Sequence, residues 1–130
     1  MPAYKTPEAA CFDLYARTTV QILAGEIGYI PLNIAVEIPK NYWLMVVSRS
    51  STHKMGIMMA NSVAVGDSDF RGDNDEYVFV AFNFTNKTVT IEKGTRIAQA
   101  MVVKFDRVEF EQVEHLDNHD RGGFGTTGLK

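Results

Sequence analysis

A chain of 130 residues and 14.5 kDa, 45% of them hydrophobic, is long enough for one packed domain and too short for two. Its formal net charge of −3 argues against a duplex-binding protein, because a phosphate backbone selects basic surfaces. No apolar run is long enough to span a bilayer, no basic-then-apolar leader opens the sequence, and the lone Cys11 has no disulfide partner, so a cytoplasmic protein is expected, with oligomerisation as a way to bury more surface.

Period-two alternation dominates the chain. Residues 19–23 read as a short strand ended by Ala24-Gly25-Glu26. Residues 27–38 continue as extended chain, with Pro31 confined to an edge or a bulge. Pro39-Lys40-Asn41 is a turn, and 42–48 is a strand of large apolar residues. Residues 50–55 predict a single helical turn, its serine hydroxyls suited to a cap and its N-terminus to an anion. Residues 61–70 read either as a hairpin or as a polar turn. Residues 77–84 alternate aromatic and aliphatic side chains, and Thr85-Asn86-Lys87 turns into a strand over 88–91. Lys93-Gly94-Thr95 turns again into 96–105, and 108–113 predicts one more strand. Many short strands with close turn signals imply an all-β sandwich or barrel over residues 1–117, with a glycine-rich arm over 118–130.

Four islands carry possible chemistry. In Ala10-Cys11-Phe12-Asp13-Leu14 an acid is flanked by apolar residues; a surface aspartate on an amphipathic strand is the plain reading. Ser48-Arg49-Ser50-Ser51-Thr52 puts an arginine before hydroxyls at a strand-to-helix junction, which suits a phosphate cradle and equally a helix cap beside a solvated arginine. Residues 61–75 hold four aspartates within nine positions, Asp67 to Asp75. A calcium loop fails there, because no glutamate follows Asp67 at the required spacing and the flanks read as strands. A hairpin tip offering backbone amides to a flat base, with Asp67 as a general base, and a simple polar turn both remain. The last island, Arg121 to Gly128, combines an arginine able to fork onto phosphate, unencumbered backbone N–H groups and a phenylalanine able to stack on a base. It reads as a closing arm or as a frayed end. His53, His115 and His119 are too scattered for a zinc site.

Taken in order, these islands resemble the motifs of the homotrimeric dUTPase family, in a form similar to its Bacillus and phage branch. Ala10 to Leu14 is similar to Ala-Gly-Tyr-Asp-Leu, and Ser48 to Thr52 to Pro-Arg-Ser-Ser-Thr. Asp67-Ser68-Asp69-Phe70-Arg71-Gly72 resembles Asp-x-x-Tyr-x-Gly. Gly94-Thr95-Arg96-Ile97-Ala98-Gln99 matches Gly-x-Arg-Ile-Ala-Gln, and Arg121 to Gly128 resembles the final glycine-rich motif. The resemblance implies a distorted jelly-roll subunit, a homotrimer with active sites shared between subunits, and magnesium-assisted hydrolysis of dUTP to dUMP and pyrophosphate. It implies that Asp67 activates the attacking water and that Asp13 holds the water shell of Mg2+. Arg49, Ser50, Ser51, Gln99 and Arg121 match phosphate contacts. Asn61 and Phe70 match the base and sugar pocket, and Phe124, Gly125 and Thr126 the closing arm. Gly66 stands where the family carries isoleucine, which removes an apolar anchor beside Asp67, and Ala64 stands where it carries glycine. A nucleotide-binding homologue with little turnover, and a relative of dCTP deaminase, are the competing expectations.

Overall fold

The structure, a computed structural model, describes residues 1–123 and Thr126. Nine strands form among them: β1 Phe12–Tyr15, β2 Val20–Ile22, β3 Ile27–Pro31, β4 Tyr42–Ser48, β5 Ile57–Met59, β6 Ala64–Gly66, β7 Val78–Asn83, β8 Val89–Ile91 and β9 Arg96–Lys104. A single 3-10 turn, Thr52–Met55, lies between β4 and β5. The all-β expectation therefore holds. Every ladder is antiparallel, and every ladder joins strands that are not neighbours in sequence. The sheets run β1-β9-β4-β6, β3-β7-β5 and β2-β8. Such long-range pairing follows when each strand buries one face and the partner that covers it lies far along the chain.

Alternation builds the core. On β4, Leu44 and Val46 point inward while Trp43, Met45 and Val47 point outward; on β7, Phe79 and Ala81 point inward. Leu14, Ile30, Ile57 and Ile97 complete an apolar centre with no solvent exposure. Asn83 is equally buried, and every polar atom of its amide is used. Its Nδ2 donates to the carbonyls of Ile22, Leu23 and Lys87, and its Oδ1 accepts from the N–H and hydroxyl of Thr85. It ties the β2 and β7 strand ends together.

Pro31 sits on β3, an edge strand, as its missing N–H requires. The extended run expected to Ile38 stops there. Asn33 takes a left-handed φ of 58° that a ladder cannot continue through, and its N–H turns to the Glu76 carboxylate. The predicted hairpin over 61–70 is not a paired one: β5 joins β7 and β6 joins β4, so the segment crosses between sheets through a turn with Ser62 at φ 61°. The predicted strand over 108–113 does not form in this chain. Val108 and Phe110 are 68% and 96% exposed, because the chain leaves β9 at Lys104 with no strand beside it. The helical turn is shorter than expected, and Ser51 precedes it without a side-chain capping bond.

Candidate active site

Asp13 is the centre of the polar part of the site. Alternation on β1 turns Leu14 to the core and Asp13 to the opposite face, yet Asp13 is only 7% exposed. Two arginines cover it. Arg49, just past the end of β4, donates from Nε to Oδ1 at 2.9 Å, and Arg96, at the start of β9, donates from Nη1 to Oδ2 at 3.1 Å. The plain reading of Asp13 as a surface residue is thus overturned: β1 and β4 both pair with β9, which brings the three charges together. One carboxylate between two guanidiniums leaves one positive charge over, locally, in an acidic chain.

The neighbours hold this arrangement in place. Thr52, 1% exposed, accepts the Arg49 N–H and donates to the Ile97 carbonyl. Arg49 Nη1 also reaches the Arg96 carbonyl at 3.3 Å and the Ser51 hydroxyl at 3.5 Å. Gln99 lies directly across from Asp13 in the β1–β9 register and donates to the Ser48 carbonyl. Ser50 is exposed beside them. Asp13, Arg49, Ser51 and Gln99 therefore meet in one place, as the phosphate-cradle reading requires. Arg96 and Thr52 belong with them. Arg96 was visible in the sequence only as a member of the Gly94 to Gln99 motif with no role attached, and Thr52 only as the third hydroxyl of a serine-threonine run.

Asp67 lies elsewhere. It follows β6 and is exposed, and among the described residues no side chain bonds its carboxylate. Its carbonyl accepts the Phe70 N–H, closing a turn that brings the Phe70 ring, 38% exposed, back beside it. A cavity of about 300 Å3 opens there, lined by Ala64, Gly66, Asp67, Phe70, Tyr77 and their neighbours. Asn61 is exposed at the turn before β6. Ala64 pairs within its strand and takes no left-handed φ, so its methyl group is accommodated. The space beside Gly66 is filled by Tyr77, so the anchor expected to be lost there is supplied from β7's entry. Burial pushes the Tyr77 phenol above its ordinary 10.0, with Asp67 and Asp75 adding to the rise.

β1 and β6 are the two edges of one sheet. The Asp13 row passes through Val47, whereas Gly66 pairs with Leu44, so Asp67 is four residues down β4 from Asp13. That is about 13 Å along the strands and about 14 Å across three strand spacings, roughly 20 Å in all. One chain does not bring Asp67 to Asp13, Arg49 and Gln99. Arg121 and Thr126 are exposed and bonded to none of these residues. Phe124 and Gly125 lie outside the described residues.

Among the described residues no three His, Cys, Asp or Glu side chains converge as a metal cage. The donor set is a single carboxylate shared by two guanidiniums. It suits a magnesium ion whose inner ligands are water and phosphate oxygens, touched by the protein from outside. No helix among the described residues is long and apolar enough to cross a membrane.

Known proteins resemble this chain in sequence and in fold. The dUTPase family model matches residues 1–128. A prophage-derived deoxyuridine 5'-triphosphate nucleotidohydrolase of Bacillus subtilis is 39% identical over 97% of this chain and 89% of its own length. The crystal structure of a dUTPase from Streptococcus mutans superposes with a TM-score of 0.80 at 29% identity, covering 85% of this chain and 89% of that one. The dUTPase of Staphylococcus bacteriophage 80alpha, solved with dUPNHPP, shares the fold at a TM-score of 0.87 and 22% identity, over 99% and 92% of the two chains.

Proposed function

This chain belongs to the dUTPase family, and on that premise we propose that it hydrolyses dUTP to dUMP and pyrophosphate in sites shared between three copies of itself. The observation that carries the reading is the convergence of Arg49 and Arg96 on the buried Asp13 beside Gln99. This is a locally cationic cradle on a chain that is acidic overall. Polyphosphate is the ligand such a cradle suits, because guanidinium forks match phosphate oxygens.

The chemistry then needs a base that is not tied up. Asp67 takes a proton from a water molecule as that water's oxygen forms a bond to the α-phosphorus. The bond from the α-phosphorus to the bridging oxygen breaks, and pyrophosphate leaves with the electron pair. Little covalent work falls to the protein, so positioning and charge neutralisation supply most of the rate. Arg49, Ser50, Ser51, Gln99 and Arg121 hold the phosphate oxygens in line. Asp13 is the residue that would hold the water shell of a magnesium ion, and that ion would supply further charge neutralisation. Phe70 packs under the deoxyribose, and the crossing segment from Asn61 offers its backbone to uracil. A cytosine amino group there would leave buried groups unpaired. Phe124, Gly125 and Thr126 close the arm over the base.

Two features support the shared site. The separation of about 20 Å within one sheet leaves the base and the cradle of a single chain too far apart for one α-phosphate. The outward face of the same sheet is also apolar: Met45 pairs with both Met101 and Val65, the last 64% exposed, and Trp43 pairs with Val103. A face of that kind suits a second copy. The unpaired segment 108–113, alternating Val108 and Phe110 with Glu109 and Glu111, suits the same role.

The test is pyrophosphate release from dUTP, dCTP and dTTP with and without magnesium. Release from dUTP alone, dependent on the metal, is expected. Tight binding of a non-hydrolysable dUTP analogue without turnover would make the chain a binding homologue, and release of ammonia from dCTP would make it a deaminase.

A further inference from the structure

Gly66 stands directly before Asp67, and the volume its side chain would fill belongs to Tyr77. A Cβ added at Gly66 would fall on the Tyr77 hydroxyl and lie 2.6 Å from Cε1 and 2.7 Å from Cζ. No real methyl group survives such contacts, so one of the two residues would have to move. Tyr77 has little room to do so. It is 6% exposed, its N–H donates to the Ile34 carbonyl at 3.0 Å, and its carbonyl accepts the Leu32 N–H at 2.9 Å. The residue before it, Glu76, is gripped on both carboxylate oxygens by Arg17, at 2.8 and 2.9 Å, and by the Asn33 N–H at 2.8 Å. The Tyr77 ring also meets the Phe70 ring edge-on, with centroids 5.1 Å apart. The phenol oxygen is buried and has no bonding partner among the described residues.

One side chain therefore touches both the strand end that delivers Asp67 and the ring expected to carry the sugar. We propose that Tyr77 is a positioning residue: a buried strut, admitted only because residue 66 is glycine, that sets where the Asp67 carboxylate and the Phe70 ring stand in the nucleoside cavity. This rests on the reading of Asp67 as the base. The strut does for Asp67 from outside what a large side chain at position 66 would do from within its own strand. The Asp67 carboxylate, just past an edge strand, has no side-chain hydrogen bond among the described residues to fix it. Its aim depends on the backbone beneath it, and a displacement of about 1 Å at a reacting group can remove about a hundredfold in rate. The Arg17–Glu76–Asn33 clamp extends the same support to the strut's base. The assignment gives the ring the work and gives the hydroxyl none.

The experiment compares Gly66→Ala, Tyr77→Leu, the double variant and Tyr77→Phe, reading kcat and KM for dUTP and calorimetric binding of a non-hydrolysable dUTP analogue. Gly66→Ala is expected to lower kcat by about tenfold or more while analogue binding changes by about twofold or less, since contacting residues couple strongly. Adding Tyr77→Leu makes room for the methyl group and restores most of that loss, although Tyr77→Leu alone also lowers kcat. Tyr77→Phe keeps wild-type kcat. A merely structural contact would move melting temperature and leave the split between kcat and binding untouched. Wild-type kcat in Gly66→Ala, a double variant no faster than Gly66→Ala, or a Tyr77→Phe as slow as Gly66→Ala would overturn the assignment. If Gly66→Ala does not fold, Tyr77→Leu decides: lowered kcat with intact analogue binding supports the strut, and wild-type kcat ends it. Absence of turnover in the wild-type chain would instead strike the proposed hydrolysis itself.

Discussion

Asp13 and Asp67 sit at opposite edges of one four-stranded sheet and are held in opposite ways. Asp13 is buried, with both oxygens taken by arginines. Asp67 is exposed, with no side-chain partner among the described residues, and its backbone leans on an aromatic ring. A carboxylate paired with a guanidinium on each oxygen is fixed in place and sets the position of the charges around it. One with no side-chain partner is open to a reacting water, provided something other than hydrogen bonds fixes its position. The contrast divides the labour of the site between a charged frame and a free base.

The largest expected effect falls on the free base. Asp67→Asn should lower kcat on dUTP by about 10²–10⁴-fold, while folding stability stays within about 0.5 kcal/mol of wild type, as for other exposed substitutions. A large stability loss in that variant would blur the contrast. Asn83→Ala is the control away from both aspartates. It strands the buried Ile22 carbonyl and removes the partner of the part-buried Leu23 and Lys87 carbonyls and of Thr85, and should cost about 1–3 kcal/mol in denaturant unfolding, with kcat unchanged in the folded fraction. Asp13→Ala should cost about 2 kcal/mol of stability. Breaking a buried pair costs more, but the Arg96 side chain is 45% exposed and solvent recovers part of it. If Asp13→Ala proves as stable as wild type, the two arginines are not held by it. The smallest effect concerns the clamp under Tyr77. The hydrogen bond from Arg17 holds the Glu76 carboxyl below its ordinary 4.5. Because the folded value is depressed, the clamp's stability is fully present above pH about 4.5 and is lost as pH falls through the lowered value. Glu76→Gln should therefore lower stability slightly at neutral pH, where the clamp is charged, and flatten the acid limb, with the two profiles converging as pH falls through the lowered value.

Strand positions were legible wherever alternation was long. The run 42–48 became β4 with the same bounds, and 96–105 became β9 to within a residue. Arg49, Ser51 and Gln99, which the structure gathers around Asp13, each lay in a motif of distinctive local composition. What local composition does not contain is pairing between distant strands. Asp13 read as a surface acid because nothing near it shows that Arg96, 83 positions away, will cover it. Tyr77 carried no signal at all, since its meaning lies in a glycine eleven positions earlier. The segment 108–113 alternates like a strand and finds no ladder in its own chain, because alternation records a preference for pairing and is silent on where the partner lies.

The central claim is that the free base and the charged frame of one working site come from different copies. Asp67→Asn and Arg49→Ala chains should each be inactive on dUTP when assembled alone. Unfolded together and refolded into mixed assemblies, verified by native mass spectrometry, they should regain pyrophosphate release, because some sites would then combine an intact Asp67 with an intact Arg49. Mixed assemblies that form and remain as inactive as their parents would contradict the account.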